Sequence, residues 1–155
     1  MLIEQSIGEF SDAQPLLNGS AASSNVLDLV AARHQIGVGR DLFIWLTVNV
    51  VESGADNDTY VFIFQTDTAE DFSGGPKEVF RVSLTGDDAR LKTAGEPIWC
   101  STVPQTADQR YVRWYYTLAD VGGTAAVTVD AAFGPDRPHS IRSRDQVYVS
   151  NVGNP

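Results

Sequence analysis

The chain has one cysteine, one methionine and two histidines in 155 residues. A single cysteine, Cys100, excludes an intrachain disulfide, so the fold needs no oxidising compartment and reads as assembled in a cytoplasm. Basic charge is scarce as well: 11 Lys and Arg against 20 Asp and Glu give a net −9. That balance argues against a sequence-independent nucleic-acid binder, whose affinity comes from cations that neutralise phosphates. No run approaches the roughly 20 apolar residues of a membrane-spanning helix. The opening MLIEQSIGEF has neither a basic n-region nor a long apolar h-region, so it does not read as a signal peptide. Glycines at 37 and 39, 74–75 and 122–123 lack the strand–loop–helix frame and following lysine of a phosphate loop. The expectation is a soluble domain with no nucleic-acid or membrane partner.

Reactive arrangements are equally thin. A Ser- or Cys-based triad would have to use His34, in ARHQIGVG, or His139, in DRPHSIRS, and neither stands beside a nucleophile motif. Cys100 follows Trp99 in an apolar stretch, which predicts a packed thiol rather than a reactive one. Asp56-Asn57-Asp58, Asp67 with Glu70 and Asp71, and Asp87-Asp88 offer oxygens to calcium. None has the spaced EF-hand loop, and short Asp-rich turns are normally solvated. The sequence therefore predicts no enzyme, no metal and no cofactor.

What is present is a period of two. DLFIWLTVNVV (41–51) alternates Leu42, Ile44, Leu46, Val48 and Val50 with Phe43, Trp45, Thr47 and Asn49, as a strand with one buried face requires. TYVFIFQT (59–66) is apolar on both faces, which predicts a central strand or one face at a subunit contact. EVFRVSL (78–84), GEPIWCSTV (95–103), RYVRWYYTL (110–118) and TAAVTVDAAF (124–133) supply further strands. ESGADND, DTAEDFSGGP, TGDDAR and ADVGG supply the turns between them. The one ambiguous segment, NVLDLVAARHQ, reads as a strand to Val30 and then a loop from Ala31 to Gly39. Six to eight short strands without intervening helices predict an all-β, antiparallel β-sandwich or jelly roll. A single domain is expected, with an N-terminal segment at 1–24, a β core at 25–133 and a C-terminal tail at 134–155.

Aromatic residues admit two uses. Trp45, Trp99, Trp114, Tyr111 and Tyr115 could form a flat platform for sugar rings, which makes a carbohydrate-binding module the alternative function. Equally, Tyr111, Arg113 and Tyr115 share an outward face of residue types enriched at protein interfaces. At the start of the chain, Phe10 reads as a buried anchor. The low-bulk stretch from Asn18 to Ser24, with Ala21 and Ala22, reads as a close-approach loop. Arg142 and Arg144 lie in a basic tail and complete the candidate interface set of Phe10, Ala21, Ala22, Tyr111, Arg113, Tyr115, Arg142 and Arg144.

FSDAQ (10–14), a small-residue spacer, SSNVLDL (23–29) and IGVGRDLFIWLTV (36–48) follow one another in an order that resembles the jelly-roll capsid cement proteins of tailed bacteriophages. The likeness continues through FIFQTDTAEDF (62–72) and QRYVRWYYTL (109–118) to GGTAAVTVDAAF, so it runs from Phe10 to about Phe133. The residue after Leu29, where the family pattern suggests glycine, is valine. The resemblance implies a decoration protein, made in the host cytoplasm, that binds the outer surface of a phage head. It further implies a homotrimer whose other partner is the major capsid protein. A third reading, a calcium-dependent adhesion domain, would require the Asp loops to hold metal.

Overall fold

The computed structural model describes residues 8–31, 41–53, 57–122 and 127–134. Among these residues, nine strands form two antiparallel sheets: β1 (Gly8–Pro15), β2 (Gly19–Ala22), β3 (Leu27–Asp28), β4 (Phe43–Val50), β5 (Thr59–Asp67), β6 (Lys77–Thr85), β7 (Pro97–Thr102), β8 (Tyr111–Ala119) and β9 (Thr128–Gly134). The first sheet has the order β1-β9-β4-β7, and the second β2-β8-β5-β6 with β3 also on β8. Counting β2 and β3 as halves of one interrupted strand, the eight strands take the jelly-roll order, changing sheet at each step except from β5 to β6. The all-β sandwich expected from the period-two pattern is the fold observed.

The core lies between the sheets and is built from the alternation itself. Ile44, Leu46 and Val48 of β4, with Val127, Val129, Ala131 and Phe133 at β9 beside them, face Tyr60, Phe62 and Phe64 of β5 and Val112, Trp114, Tyr116 and Leu118 of β8, all buried. Val50, expected on the same inward face, is 48% exposed. A register shift against β9 between Val48 and Val50 turns the end of β4 outward, as an extra residue in one strand does.

Three expectations about the N-terminal third are corrected. The β core begins at Gly8 rather than at residue 25, because β1 pairs with β9 and β2 with β8. The stretch from Asn18 to Ser24 is not a loop: Gly19–Ala22 is a strand. Finally, the strand expected to reach Val30 ends at Asp28, and the chain is helical from Leu29 to Ala31. Asp28 causes the switch, since its Oδ1 accepts the Val30 and Ala31 N–H groups at 2.9 and 3.4 Å in the manner of a helix N-cap. The rest of the predicted 31–39 loop lies outside the described residues, as do His34, His139, Arg142, Arg144 and the tail after Gly134.

The two long sides of the sandwich differ. On one, β1 is stitched across to the second sheet by polar groups. Gln14 Nε2 donates to Ala22 O at 2.8 Å, Ser24 N–H donates to Gln14 Oε1 at 3.0 Å, and Asn25 N–H donates to Phe10 O at 2.9 Å. On the other side, β6 and β7 meet through stacked Phe80 and Trp99, with ring centroids 4.3 Å apart. Both of those edges carry features that discourage further strand pairing: a register shift and the charges of Lys77, Glu78 and Arg81 on β6, Pro97 and a shift on β7.

Candidate partner-binding face

The outer face of the second sheet follows from the same alternation that fills the core. With Phe62, Phe64, Val112, Trp114 and Tyr116 inward, the residues between them point out. The cross-strand partners are Val61 with Thr117, Ile63 with Tyr115, Gln65 with Arg113 and Asp67 with Tyr111. All but Asp67 are half-buried, so this face presents aromatic, aliphatic and guanidinium groups without hiding them. Ala22 of β2 sits opposite Tyr115 and Ser20 opposite Thr117, which extends the face by one strand.

The loop from Thr68 to Pro76 shapes one end of it. Asp67, 1% exposed, accepts the Ala69 N–H through Oδ1 at 3.0 Å and so turns the chain back over the sheet. Phe72 adopts a left-handed φ of 58° and buries its ring, 6% exposed. A non-glycine residue in that region is uncommon for a bulky side chain and is held there by its surroundings. Gly74 passes so near that a Cβ would lie 2.5 Å from Asp67 Oδ1, so the turn requires glycine.

The folded-back loop completes a clamp around Arg113. The guanidinium carbon is 4.0 Å from the Phe72 ring centroid and 5.4 Å from that of Tyr115, while Nε donates to Gln65 Oε1 at 3.0 Å. Cation–π contact of this kind is worth about 0.5–2 kcal/mol according to desolvation. Among the described residues, Arg81, Arg90 and Arg110 each form a salt bridge with a carboxylate, and Arg113 forms none. Burial lowers its pKa below the ordinary guanidinium value, with Tyr115 and the Asp67 charge pulling the other way.

The predicted residues separate on this geometry. Tyr111, Arg113, Tyr115 and Ala22 share the outer face; Ala21 is exposed on β2 but pairs with Tyr116, an inward position. Phe10 was expected as both anchor and interface residue. Its exposure is 0%, which leaves none of its ring for a partner, and it packs edge-on against Phe64 and Phe133 at 6.0 and 5.4 Å. Phe72 and Gln65 were missed. A lone aromatic inside the turn sequence DTAEDFSGG was the available signal for Phe72; Gln65 had none.

Other candidate chemistry resolves into structure. Trp114 is in the core, Trp99 is stacked on Phe80, and Trp45 is 7% exposed, so the three tryptophans make no common platform. Cys100 is half-buried on an edge strand rather than packed in the core. Asp58 accepts the Val121 N–H at 2.7 Å, Asp71 the Ser73 N–H at 3.0 Å, and Asp88 caps the 3-10 turn Ala89–Leu91. These carboxylates therefore act as turn and cap acceptors, and among the described residues no three His, Cys, Asp or Glu side chains gather as a metal site would need.

A protein-family model, Bbp16, matches residues 10–133. The chain belongs to the Bbp16 family. The match covers the same span, Phe10 to Phe133, over which the sequence resembles phage cement proteins, and the family name is phage-linked. It includes seven of the nine described strands entirely, β1 but for its first two residues and β9 but for its last, so the family is defined by the sandwich itself. Comparison with curated proteins returns no match.

Proposed function

We propose that this Bbp16-family protein is a non-enzymatic decoration protein that binds the outer surface of a tailed-phage head and holds neighbouring shell subunits together. The observation that carries the reading is membership of a phage-linked family across the whole sandwich. The fold alone would not suffice, since jelly rolls serve many functions. Two features support it further. Among the described residues, Asp58, Asp71 and Asp88 serve as turn and cap acceptors, and the outer face of the second sheet carries residue types of the interface kind.

Such a protein works by area and by number. Self-association, as a homotrimer in the reading the resemblance suggests, would let one particle engage several equivalent shell sites. The second and third contacts are then intramolecular and add avidity without new chemistry. A closed ring also matches a rotational axis of the shell.

The test is direct. Purified protein is added to DNA-free heads that lack it, and electron microscopy is used to look for new density at symmetry-related outer positions. Saturable, ordered density is the expected result; absence of binding at micromolar protein refutes the proposal. Sedimentation gives the copy number, expected at about three times the 16.8 kDa subunit mass. A dimer would retain decoration and move it to twofold positions. The carbohydrate-binding alternative loses its main support in the dispersed tryptophans, and retention on a polysaccharide column would be needed to revive it.

A further inference from the structure

We infer that the Arg113 clamp on the outer face of the second sheet is the site that receives a carboxylate from the shell subunit, with Tyr111, Tyr115 and Ile63 forming the apolar surround. This rests on the decoration reading and names the surface and the chemistry by which attachment occurs.

Among the described residues, Arg113 lacks a salt-bridge partner. Its guanidinium is partly desolvated between Phe72 and Tyr115, and Nε is committed to a neutral acceptor, Gln65 Oε1. Asp67 acts on it by its charge from nearby but forms no ion pair with it; its Oδ1 accepts the Ala69 N–H, and its buried Oδ2 has no hydrogen-bond partner. Two other arginines near this sheet are neutralised at the surface: Arg81 of β6 by Glu78 at 2.6 Å, and Arg110, just before β8, by Asp28 at 2.7 Å. In a chain with 20 acidic side chains, an arginine held rigid with no carboxylate partner among the described residues stands apart.

Rigidity is what makes it useful. Contact with the Phe72 ring and the hydrogen bond from Nε to Gln65 hold the guanidinium in place and so leave its terminal N–H groups preorganised for a planar acceptor. A partner carboxylate arriving there finds a cation already stripped of part of its water and already ordered, so less rotamer entropy is lost on binding. The surround suits the same role. Tyr111, Tyr115 and Ile63 are half-buried and flank the clamp, giving the apolar surround that excludes water from a central charged contact. The opposite sheet has no equivalent, because no arginine or lysine lies on β1, β4, β7 or β9.

The decisive variant is Gln65→Glu. It is nearly isosteric and places a carboxylate on the atom that Arg113 Nε already touches, giving the guanidinium an internal partner without opening the fold. Arg113→Gln removes the cation, Arg113→Lys retains charge but loses the stacked fork, and Arg90→Gln, in a distant salt bridge with Asp88, serves as control. Melting, sedimentation and affinity for DNA-free heads are measured for each. Gln65→Glu should melt at or above the wild-type temperature, with unchanged sedimentation, and bind heads about thirtyfold or more weakly, as expected for a central hot-spot contact. Arg113→Gln and Arg113→Lys should show the same loss, and Arg90→Gln none. If folded Gln65→Glu protein decorates like wild type, this inference is wrong while the decoration proposal stands. If it changes the sedimenting mass, the clamp is a contact between copies and the inference is equally wrong. Wild-type protein that binds no heads overturns both readings.

Discussion

Phe10 shows how much one side chain can carry. It is fully buried and touches both the second sheet, at Phe64, and the first, at Phe133. Phe10→Ala should therefore cost about 3–5 kcal/mol, since the cavity is walled by aromatic rings on strands that cannot collapse into it. Chemical denaturation checks this, and a loss under 1 kcal/mol would show that the ring is not an anchor. Tyr116 makes a second residue-scale prediction. Its buried hydroxyl lies 2.8 Å from Ser11 Oγ, and burial raises its pKa from the ordinary 10.0. A raised pKa in the folded state means the phenol contributes fully below pH 10 and loses that contribution as the pH rises above it. Tyr116→Phe should accordingly flatten the alkaline limb of the stability profile, measured by melting between pH 8 and about 11. An unchanged limb would assign it to other groups.

At the scale of elements, the loop from Thr68 to Pro76 is the part to perturb. Gly74→Ala forces a methyl group against Asp67 Oδ1 and should open the turn, releasing Phe72 from Arg113. The expected signature is a loss of about 1–3 kcal/mol, the range for overpacking, together with weakened head binding. Stability loss without any binding change would uncouple the loop from the face. The helix start at Leu29 offers an acid-side prediction. Arg110 first, and the Val30 and Ala31 N–H groups, hold the Asp28 carboxyl below its ordinary 3.8. A depressed pKa contributes stability above that value and loses it as the pH falls through the lower folded-state pKa. Asp28→Asn should thus reduce the drop in melting temperature seen below about pH 4 and leave the profile above pH 5 parallel to wild type. These two elements also mark what could be read from the sequence. Strand alternation in β4, β5, β8 and β9 was legible because burial on one face is written every second residue. The Asp28 switch was not, because Val26 to Val30 suits a strand as well as a helix and only the hydrogen bonds of one carboxylate decide. The register shift at Val48–Val50 left no mark in residue type, and the Phe72 clamp depends on a backbone reversal that no local pattern prescribes.

For the whole molecule, the contrast between its two sheets sets how it meets other surfaces. The second sheet offers aromatic and guanidinium groups on its outer face, whereas β6 and β7 close the far side with charge, proline and register shifts. Growth by strand addition is therefore disfavoured, and association should occur through the face rather than the edge. Ala21→Glu tests this at the β2 edge. Ala21 is exposed, so melting should shift by no more than about 0.5 kcal/mol equivalent, and sedimentation should stay at the wild-type mass. A change of mass would place the self-contact on β2. The order of the first sheet has a different kind of consequence. β9, the last described strand to leave the ribosome, lies between β1 and β4, two of the earlier ones. Until residues 128–134 emerge, β1 has no neighbour in its sheet and Phe10 has no wall on the Phe133 side. Closure must then span nearly the full length of the chain, a contact pattern that makes folding slow, on the order of milliseconds to seconds. The sandwich thus becomes a finished object only once residue 134 has emerged, with its first and last described strands side by side.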